Sequence, residues 1–186
     1  MKKGLNEIIK TGFILFCITA AAAFFLAVVN KATAPVIERN SQKRTEQAMQ
    51  AVMPSAKEFN YIASNNDNIP EAYEAISENG EKIGDCVISI ANGYGGEIRV
   101  LVGIDSDNIV TGIQIMSHSE TPGLGANAAK PDFYEQYTGK NAGINAVKSS
   151  THGENDINAM SGATITSDAV TLAVNNAIDF AAELKK

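Results

Sequence analysis

The sequence predicts an α+β protein: a single N-terminal transmembrane helix, then a globular domain with a mainly antiparallel sheet and flanking helices, including a C-terminal helix. Three observations lead to this fold class. Residues 11–30 carry no charged side chain. In the middle of the chain, short apolar runs alternate with turns rich in Gly, Asn and Asp. The chain ends in a segment whose apolar residues recur at helical spacing.

The uncharged run from Thr11 to Asn30 predicts a retained membrane helix. About 19 residues rising ~1.5 Å each cover roughly 29 Å, which is enough to cross a bilayer core. A cleaved signal peptide is one alternative, but its apolar core would be shorter, and Pro35 directly after the A-x-A pattern at Ala32–Ala34 disfavours cleavage. A type IV pilin would carry a glutamate where Cys17 stands. A buried core helix would have to be covered on every side.

Basic residues flank this run almost equally on both sides, so the positive-inside rule alone does not decide the orientation. We expect the short basic tail to stay in the cytoplasm and the chain after Val29 to lie outside. The expected arrangement in the cell membrane is a cytoplasmic tail (1–10), a transmembrane helix (11–30), a helical stalk and loop (31–66) and an extracytoplasmic domain (67–186).

Composition excludes several classes of function. The formal net charge of −6 and the pI of about 4.9 disfavour nucleic acid as a partner. The two cysteines, Cys17 and Cys86, are expected to be unpaired because one lies in the apolar run and the other in the polar part. The sequence has no Walker-type loop, no G-x-S-x-G and no Cys-x-x-Cys, so neither an autonomous hydrolase nor a zinc protein is predicted.

After the membrane run, Ala34–Val52 is predicted to be a helix that continues it, with Pro35 permitting a bend. Ser64–Asp67 is a predicted loop. Strands in an antiparallel meander are predicted at Ala72–Ile76, Lys82–Ala91, Ile98–Ile104 and Ile109–Met116, separated by turns at Asn79-Gly80, Gly93–Gly96 and Asp105–Asn108. A short helix is predicted at Asp132–Tyr137, and an amphipathic final helix at Asp168–Leu184.

The segment "NAMSGATITSDAV" crowds four hydroxyl side chains in front of the final helix. In one interpretation, Thr166 or Ser167 caps that helix. Capping leaves the hydroxyls within Ser161–Thr164 without a role. Gly162 would let the backbone approach a ligand or adopt a left-handed conformation, and backbone N–H groups at a helix start bind anions. Physical chemistry therefore leaves open both a cap and a phosphate site near Thr164.

The segment "SHSETPGLGAN" contains Thr121-Pro122-Gly123, which has the chemistry of a type II turn. It is either a solvated turn or a rigid loop that presents backbone amides to a planar ligand. His118 and Glu120 would share one face of a strand, but a metal site needs a third ligand and the only other histidine is His152. Metal binding is therefore not favoured.

The segment "NGYGGEI", Asn92–Ile98, has the glycines of a hairpin turn. A plain hairpin is one interpretation. In the other, Tyr94 stacks beside a ring.

Taken together, these motifs resemble those of the FMN-binding domain family. Ser161-Gly162-Ala163-Thr164, followed by Ile165-Thr166-Ser167, is similar to that family's flavin-attachment motif. From the N-terminus onwards, the chain has one membrane span, then "GYGGEI", then "HSETPGLG", then the attachment motif. This combination covers nearly the whole chain and closely resembles the G subunits of Rnf electron-transport complexes. These are related to the C subunits of sodium-pumping NADH:quinone reductases.

The resemblance implies a covalent FMN, joined through its phosphate to the Thr164 hydroxyl by an extracytoplasmic flavin transferase that takes FMN from FAD. The family pattern has Asp three residues before the Ser of the motif, where this chain has Asn158; Asp156 and Glu154 are nearby carboxylates. The resemblance implies a cofactor site that comprises Tyr94, Glu120, Thr121, Gly123, Leu124, Ser161, Gly162, Ala163, Thr164 and Thr166.

The function implied is that of a membrane-anchored electron-transfer subunit of an Rnf-type complex, with other membrane and peripheral subunits as partners. Such a complex moves electrons between reduced ferredoxin and NAD and couples this to Na⁺ or H⁺ translocation. No autonomous catalysis is expected. The alternative is a membrane-anchored sensory or ligand-binding ectodomain with loosely bound flavin or none, and a further one is a structural anchor.

Overall fold

A computed structural model describes residues 2–148 and 153–185 of the chain. The N-terminal part is one helix, α1 (Lys2–Val52), which continues through Pro35. It contains a stretch long and apolar enough to cross a membrane. The large apolar side chains between Phe13 and Val29 are exposed, as on a helix that faces lipid. The predicted membrane helix and the predicted helix over Ala34–Val52 therefore form a single element.

A compact unit begins at Thr45 and is built on a five-stranded antiparallel sheet in which each strand pairs with the next. Its strands are β1 (Glu58–Ile62), β2 (Glu71–Ile76), β3 (Lys82–Asn92), β4 (Glu97–Asp105) and β5 (Val110–Ser117). The predicted four-strand meander is confirmed, since β2 to β5 differ from the predicted bounds by one residue at most. The edge strand β1 was not predicted. It has no fully buried residue, although Glu58-Phe59-Asn60-Tyr61 alternates between polar and aromatic side chains.

The remaining elements follow the sheet in the chain. They are a 3-10 turn (Gly125–Ala129), α2 (Pro131–Tyr134), a second 3-10 turn (Glu135–Tyr137), β6 (Asn145–Val147), β7 (Asp156–Asn158) and the final helix α3 (Thr164–Glu183). The short helix predicted at Asp132–Tyr137 is present as α2 and the adjoining 3-10 turn. The strands β6 and β7 form a separate parallel pair that was not predicted. The final helix is confirmed, but it begins four residues before the predicted Asp168. Together these elements confirm the α+β class.

The sheet is covered on both faces. On one face, α3 buries side chains such as Val170 and Val174 against Val87 and Val100. On the other, the last turns of α1 bury Met49 and neighbouring apolar residues against β3 and β4. Complete burial of one such side chain contributes about 1.5–3 kcal/mol. The two layers therefore hold the sheet, and the loops at its edges, in fixed positions.

The two cysteines are unpaired, as predicted. Cys17 is exposed on α1, and Cys86 on β3 is buried in the core between the sheet and the last turns of α1. Burial, with a smaller effect from the neighbouring Asp85 carboxylate, raises the pKa of the Cys86 thiol to about 12. The thiol therefore stays protonated near neutral pH and behaves as a small apolar core residue.

The end of α1 lies against two glycines that are cross-strand partners, Gly103 on β4 and Gly112 on β5, and it approaches Gly103 more closely. The Thr111 hydroxyl donates a hydrogen bond of 2.6 Å to the Val52 carbonyl at this point. A Cβ on Gly103 would lie 2.9 Å from that carbonyl oxygen and 2.5 Å from the Thr111 hydroxyl. A Cβ on Gly112 would stay at least 3.5 Å from any atom of Val52.

We expect Gly103→Ala to lower the free energy of unfolding by about 1–3 kcal/mol, because the backbone of α1 must move to admit the methyl group. Gly112→Ala is the matched control and should change the free energy much less, since its methyl group fits at ordinary contact distance. Denaturant unfolding of the full chain in detergent measures both values. Equal losses in the two variants would contradict the close approach seen only at Gly103.

Candidate functional site

A cleft of about 890 Å³ opens beside the start of α3. Its lining comes from four segments: Tyr94 in the β3–β4 loop, part of the 120–125 loop after β5, Lys148 after β6, and the continuous run 159–166. This volume lies within the range of about 300–1,000 Å³ that is usual for small-molecule and cofactor sites. Every predicted site residue except Gly123 is part of the lining. The cleft therefore brings together three motifs that are far apart in the sequence.

The Ser161–Thr164 motif turns the chain into α3. Gly162 has the left-handed backbone that the sequence suggested, with φ of +75°. Thr164 is the first helical residue and follows Ala163 in the N-cap position. The Thr164 side chain is half-buried, and its hydroxyl makes no hydrogen bond with a described residue. The first N–H groups of a helix have no partner one turn earlier, so they are free to bind an anion here.

The prediction that Thr166 or Ser167 caps the final helix is wrong. Both side chains are buried inside the first turns, because the left-handed Gly162 starts the helix earlier than the apolar pattern suggests. The Ser167 hydroxyl accepts a hydrogen bond of 2.9 Å from the Met160 N–H and donates one of 3.0 Å to the Ala163 carbonyl. These hydroxyls are therefore used to hold the loop before the helix.

Glu120 connects three of the segments that form the cleft. Its buried carboxylate accepts 2.8 Å and 2.6 Å hydrogen bonds from the Gly95 N–H and the Thr166 hydroxyl. A Cβ on Gly93 or on Gly125 would overlap one of the carboxylate oxygens. The glycines of "GYGG" and "GLG" thus leave the space that the carboxylate occupies, and protein donors already engage both of its oxygens.

The loop after β5 contains the predicted type II turn. Gly123 has φ of +80°, and the Leu124 N–H donates a 3.1 Å hydrogen bond to the Thr121 carbonyl. Thr121 and Leu124 line the cleft. Leu124, Tyr94 and Ile165 are 46%, 74% and 56% exposed, and we call these three side chains the apolar rim of the cleft. Exposed apolar groups in a concave site favour a ligand with an apolar surface.

His118 is not part of the cleft lining. The His118 ring accepts a 3.2 Å hydrogen bond from the Glu120 N–H. His152 lies outside the described residues. Within residues 2–148 and 153–185, no cluster of three potential metal ligands occurs.

Asn158, which replaces the family's aspartate, ends β7. Its side chain is exposed, and its backbone N–H donates a 2.7 Å hydrogen bond to the Gln136 side chain. Of the two nearby carboxylates, Asp156 accepts a 2.6 Å hydrogen bond from the Gly153 N–H, whereas Glu154 is exposed. Glu154 is therefore the less constrained of the two.

Lys148 lines the cleft but was not singled out from the sequence. The parallel pairing of Val147 with Asn158 carries it to the segment before the motif. The strands β6 and β7 have three residues each, which is too short for a readable periodicity. The available signal in the sequence was a lysine directly after the apolar pair Ala146-Val147, ahead of the Ser161–Thr164 motif.

The chain matches two protein-family models. Residues 93–179 match the FMN-binding domain, and residues 1–52 match the RnfG N-terminal region. The G subunit of the Na⁺-translocating ferredoxin:NAD⁺ oxidoreductase complex of Acetobacterium woodii is 39% identical, over 96% of this chain and 94% of that protein. The G subunit of the proton-translocating complex of Clostridium ljungdahlii is 34% identical, over 85% and 83%. The corresponding G subunit of the ion-translocating oxidoreductase complex of Methanosarcina acetivorans is 33% identical, over 94% and 95%.

Solved structures with the same fold include NqrC of Shewanella oneidensis, with a TM-score of 0.56 and 20% identity over 72% of this chain and 73% of that one. The C subunit of the Na⁺-translocating NADH-quinone reductase of Parabacteroides distasonis has a TM-score of 0.55 and 19% identity, over 75% and 91%. At these identities the likeness shows a shared fold.

Proposed function

The chain belongs to the family of G subunits of ion-translocating oxidoreductase complexes, and we propose that it is the membrane-anchored subunit that carries covalent FMN and passes electrons within an Rnf-type ferredoxin:NAD⁺ oxidoreductase. Of the named relatives, one belongs to a Na⁺-translocating complex and another to a proton-translocating complex, so the proposal covers translocation of either ion. The partners of the chain are the other subunits of that complex.

The observation that carries this proposal is which hydroxyl groups of the motif are buried and hydrogen-bonded and which are not. Thr166 and Ser167 are buried and hydrogen-bonded. Thr164 lines the cleft with a hydroxyl that no described residue engages. Ser161 also lines the cleft, but it is exposed and precedes the left-handed Gly162. Thr164 is therefore the acceptor we propose for the FMN phosphate, in agreement with the family resemblance of the motif.

The residues of the cleft fit FMN. The start of α3 would stabilise the negative phosphodiester by roughly 0.3–1 kcal/mol. The apolar rim of Tyr94, Leu124 and Ile165 would be covered by the isoalloxazine, and Thr121 and Gly123 shape the loop beside it. FMN supplies one- and two-electron redox chemistry, while the protein supplies position and environment. This division of labour requires no acid or base from the chain itself.

Attachment requires a separate flavin transferase with FAD as the donor. The Thr164 hydroxyl loses its proton and forms the new ester bond to the FMN phosphorus, while the anhydride bond of FAD breaks and AMP leaves. A covalent bond serves a protein whose domain lies outside the cytoplasm, where dissociated FMN would be lost.

We place residues 1–10 in the cytoplasm, 11–30 in the membrane, 31–66 as stalk and loop, and 67–186 outside.

Co-expression with a flavin transferase tests the assignment against the alternative of a sensory ectodomain. The chain should run as a fluorescent band on a denaturing gel and gain the mass of one FMN less one water. A loosely bound flavin, as in the alternative, would leave the protein on denaturation.

Topology gives a separate prediction. A reporter active only outside the cytoplasm should work when it is fused after Leu184, because the short basic tail is expected to stay inside. The same fusion to a cytoplasmic reporter should be inactive, and a fusion of that reporter ahead of Thr11 should be active. The reverse pattern would contradict both the orientation and the need for an extracytoplasmic transferase.

A further inference from the structure

Two charged side chains that line the cleft differ in how firmly they are held by the protein. Among the described residues, the charged side chains that line it are Glu120 and Lys148. Glu120 is buried and fixed by two hydrogen bonds. Lys148 is exposed and forms no ion pair with a described residue. The cleft thus has a fixed anion and a cation that remains free to bind another group.

The proposed cofactor would add a second negative charge close to the first. The Glu120 carboxylate is hydrogen-bonded to Thr166, two residues after the proposed attachment point at Thr164. Like charges that share a partly dry site repel one another, and a cation within a few ångströms offsets that repulsion. Lys148 is the cationic side chain that the described lining offers for this role.

The backbone carries Lys148 to the side of the cleft where the phosphate would lie. Val147 pairs with Asn158, and the Ala159 N–H donates a 2.9 Å hydrogen bond to the Val147 carbonyl. Lys148 therefore follows β6 beside the run 159–163 that leads into α3. A lysine ammonium is a compact charge on a flexible stem, which suits a phosphate oxygen.

We propose that Lys148 is a positioning residue for the cofactor, whose ammonium pairs with the phosphodiester formed on Thr164. This inference rests on the proposed function. It assigns to Lys148 the neutralisation of the anion, both while the ester forms and in the loaded protein, and it assigns no step of electron transfer to this residue.

The test compares the wild-type full chain with Lys148→Gln and Lys148→Arg, each loaded by a flavin transferase with FAD as the donor. Lys57→Gln is the matched control, since Lys57 is an exposed lysine outside the cleft lining. Intact mass against time gives the loading rate, and ³¹P NMR of the loaded protein reports on the phosphodiester. Lys148→Gln should load about fivefold more slowly, as expected for one partly exposed ion pair. Its ³¹P resonance should shift, Lys148→Arg should restore both values, and Lys57→Gln should match the wild type.

Added salt separates the charge effect from a change in shape. The wild-type loading rate should fall towards the rate of Lys148→Gln as salt increases, while the variant should respond less. An unchanged ³¹P resonance in Lys148→Gln would overturn the inference. If the midpoint potential of the flavin changed while the ³¹P resonance did not, Lys148 would interact with the isoalloxazine ring and not with the phosphate. A wild-type chain that gains no flavin would overturn the proposed function itself, and this outcome is seen before any variant is compared.

Discussion

Thr164→Val is expected to abolish covalent FMN and to leave the fold intact. Valine keeps the β-branched shape and removes the hydroxyl oxygen that we propose forms the ester. Because no described residue bonds to the Thr164 hydroxyl, its loss leaves no buried donor or acceptor without a partner. In-gel fluorescence and intact mass after co-expression with the transferase measure the flavin, and thermal unfolding measures the fold.

Ser161→Ala is the matched control for this experiment, because it removes the other hydroxyl of the motif that no described residue engages. This variant should still acquire one FMN per chain. A Thr164→Val protein that retains a covalent FMN, or a Ser161→Ala protein that loses it entirely while Thr164→Val does not, would contradict the choice of acceptor.

Glu120→Ala is expected to lower the free energy of unfolding by about 1–3 kcal/mol, since it leaves the Gly95 N–H and the Thr166 hydroxyl without their common acceptor. The three segments that Glu120 connects would then lose these two hydrogen bonds. The flavin spectrum of the loaded protein should therefore also change. Glu120→Gln should keep most of the stability. Its amide oxygen can accept from Gly95, and its amide N–H can donate to the Thr166 oxygen.

A double-mutant cycle separates the contribution of the Thr166–Glu120 hydrogen bond from a nonspecific loss of stability. Thr166→Val removes the same hydrogen bond from the other side, so the cost of Glu120→Ala combined with Thr166→Val should be less than the sum of the two single costs. Residues in direct contact show coupling of about 0.5–3 kcal/mol in such cycles. Strictly additive costs, measured by denaturant unfolding of the unloaded full chain, would show that the 2.6 Å contact is not energetically important.

The meander could be predicted from the sequence because its strands alternate with clear turn signals. Asn79-Gly80 and Asp105–Asn108 mark chain reversals, and Gly80 and Asn108 have the positive φ angles that such turns require. The edge strand β1 escaped prediction although Phe59, Tyr61 and Ile62 are residues that favour strands. Its polar–apolar alternation covers only four residues, and the strand is completed by antiparallel pairing with β2.

The sequence located the motifs that line the cleft, but not the contacts between them. The motifs are local, so the residues around Thr164 and the type II turn at Gly123 could be located in the sequence. The carboxylate of Glu120 meets Gly95 and Thr166 only through contacts 25 and 46 residues away, which periodicity does not encode. Lys148 reaches the cleft through a parallel strand pair of three residues each, and it escaped prediction for the same reason.

The core, the final helix and the loops together determine the position of Thr164. The core fixes α3 against the sheet, and a buried hydrogen bond between the Tyr137 and Thr171 hydroxyls joins α3 to the second 3-10 turn. The start of α3 then stands beside two loops that Glu120 holds together. Thr164 is left as the half-buried hydroxyl at the edge of the cleft. A rigid first turn with one unengaged hydroxyl suits a covalent cofactor that must keep one position during repeated electron transfer.

Peptide mass mapping of the chain, purified within its native membrane complex and denatured before digestion, tests covalent FMN on Thr164 most directly. We expect one FMN phosphoester per chain, on the peptide that contains residues 161–167, with fragment ions that assign it to Thr164. Flavin that is released on denaturation, or that is found on any other residue of the chain, would contradict the assignment.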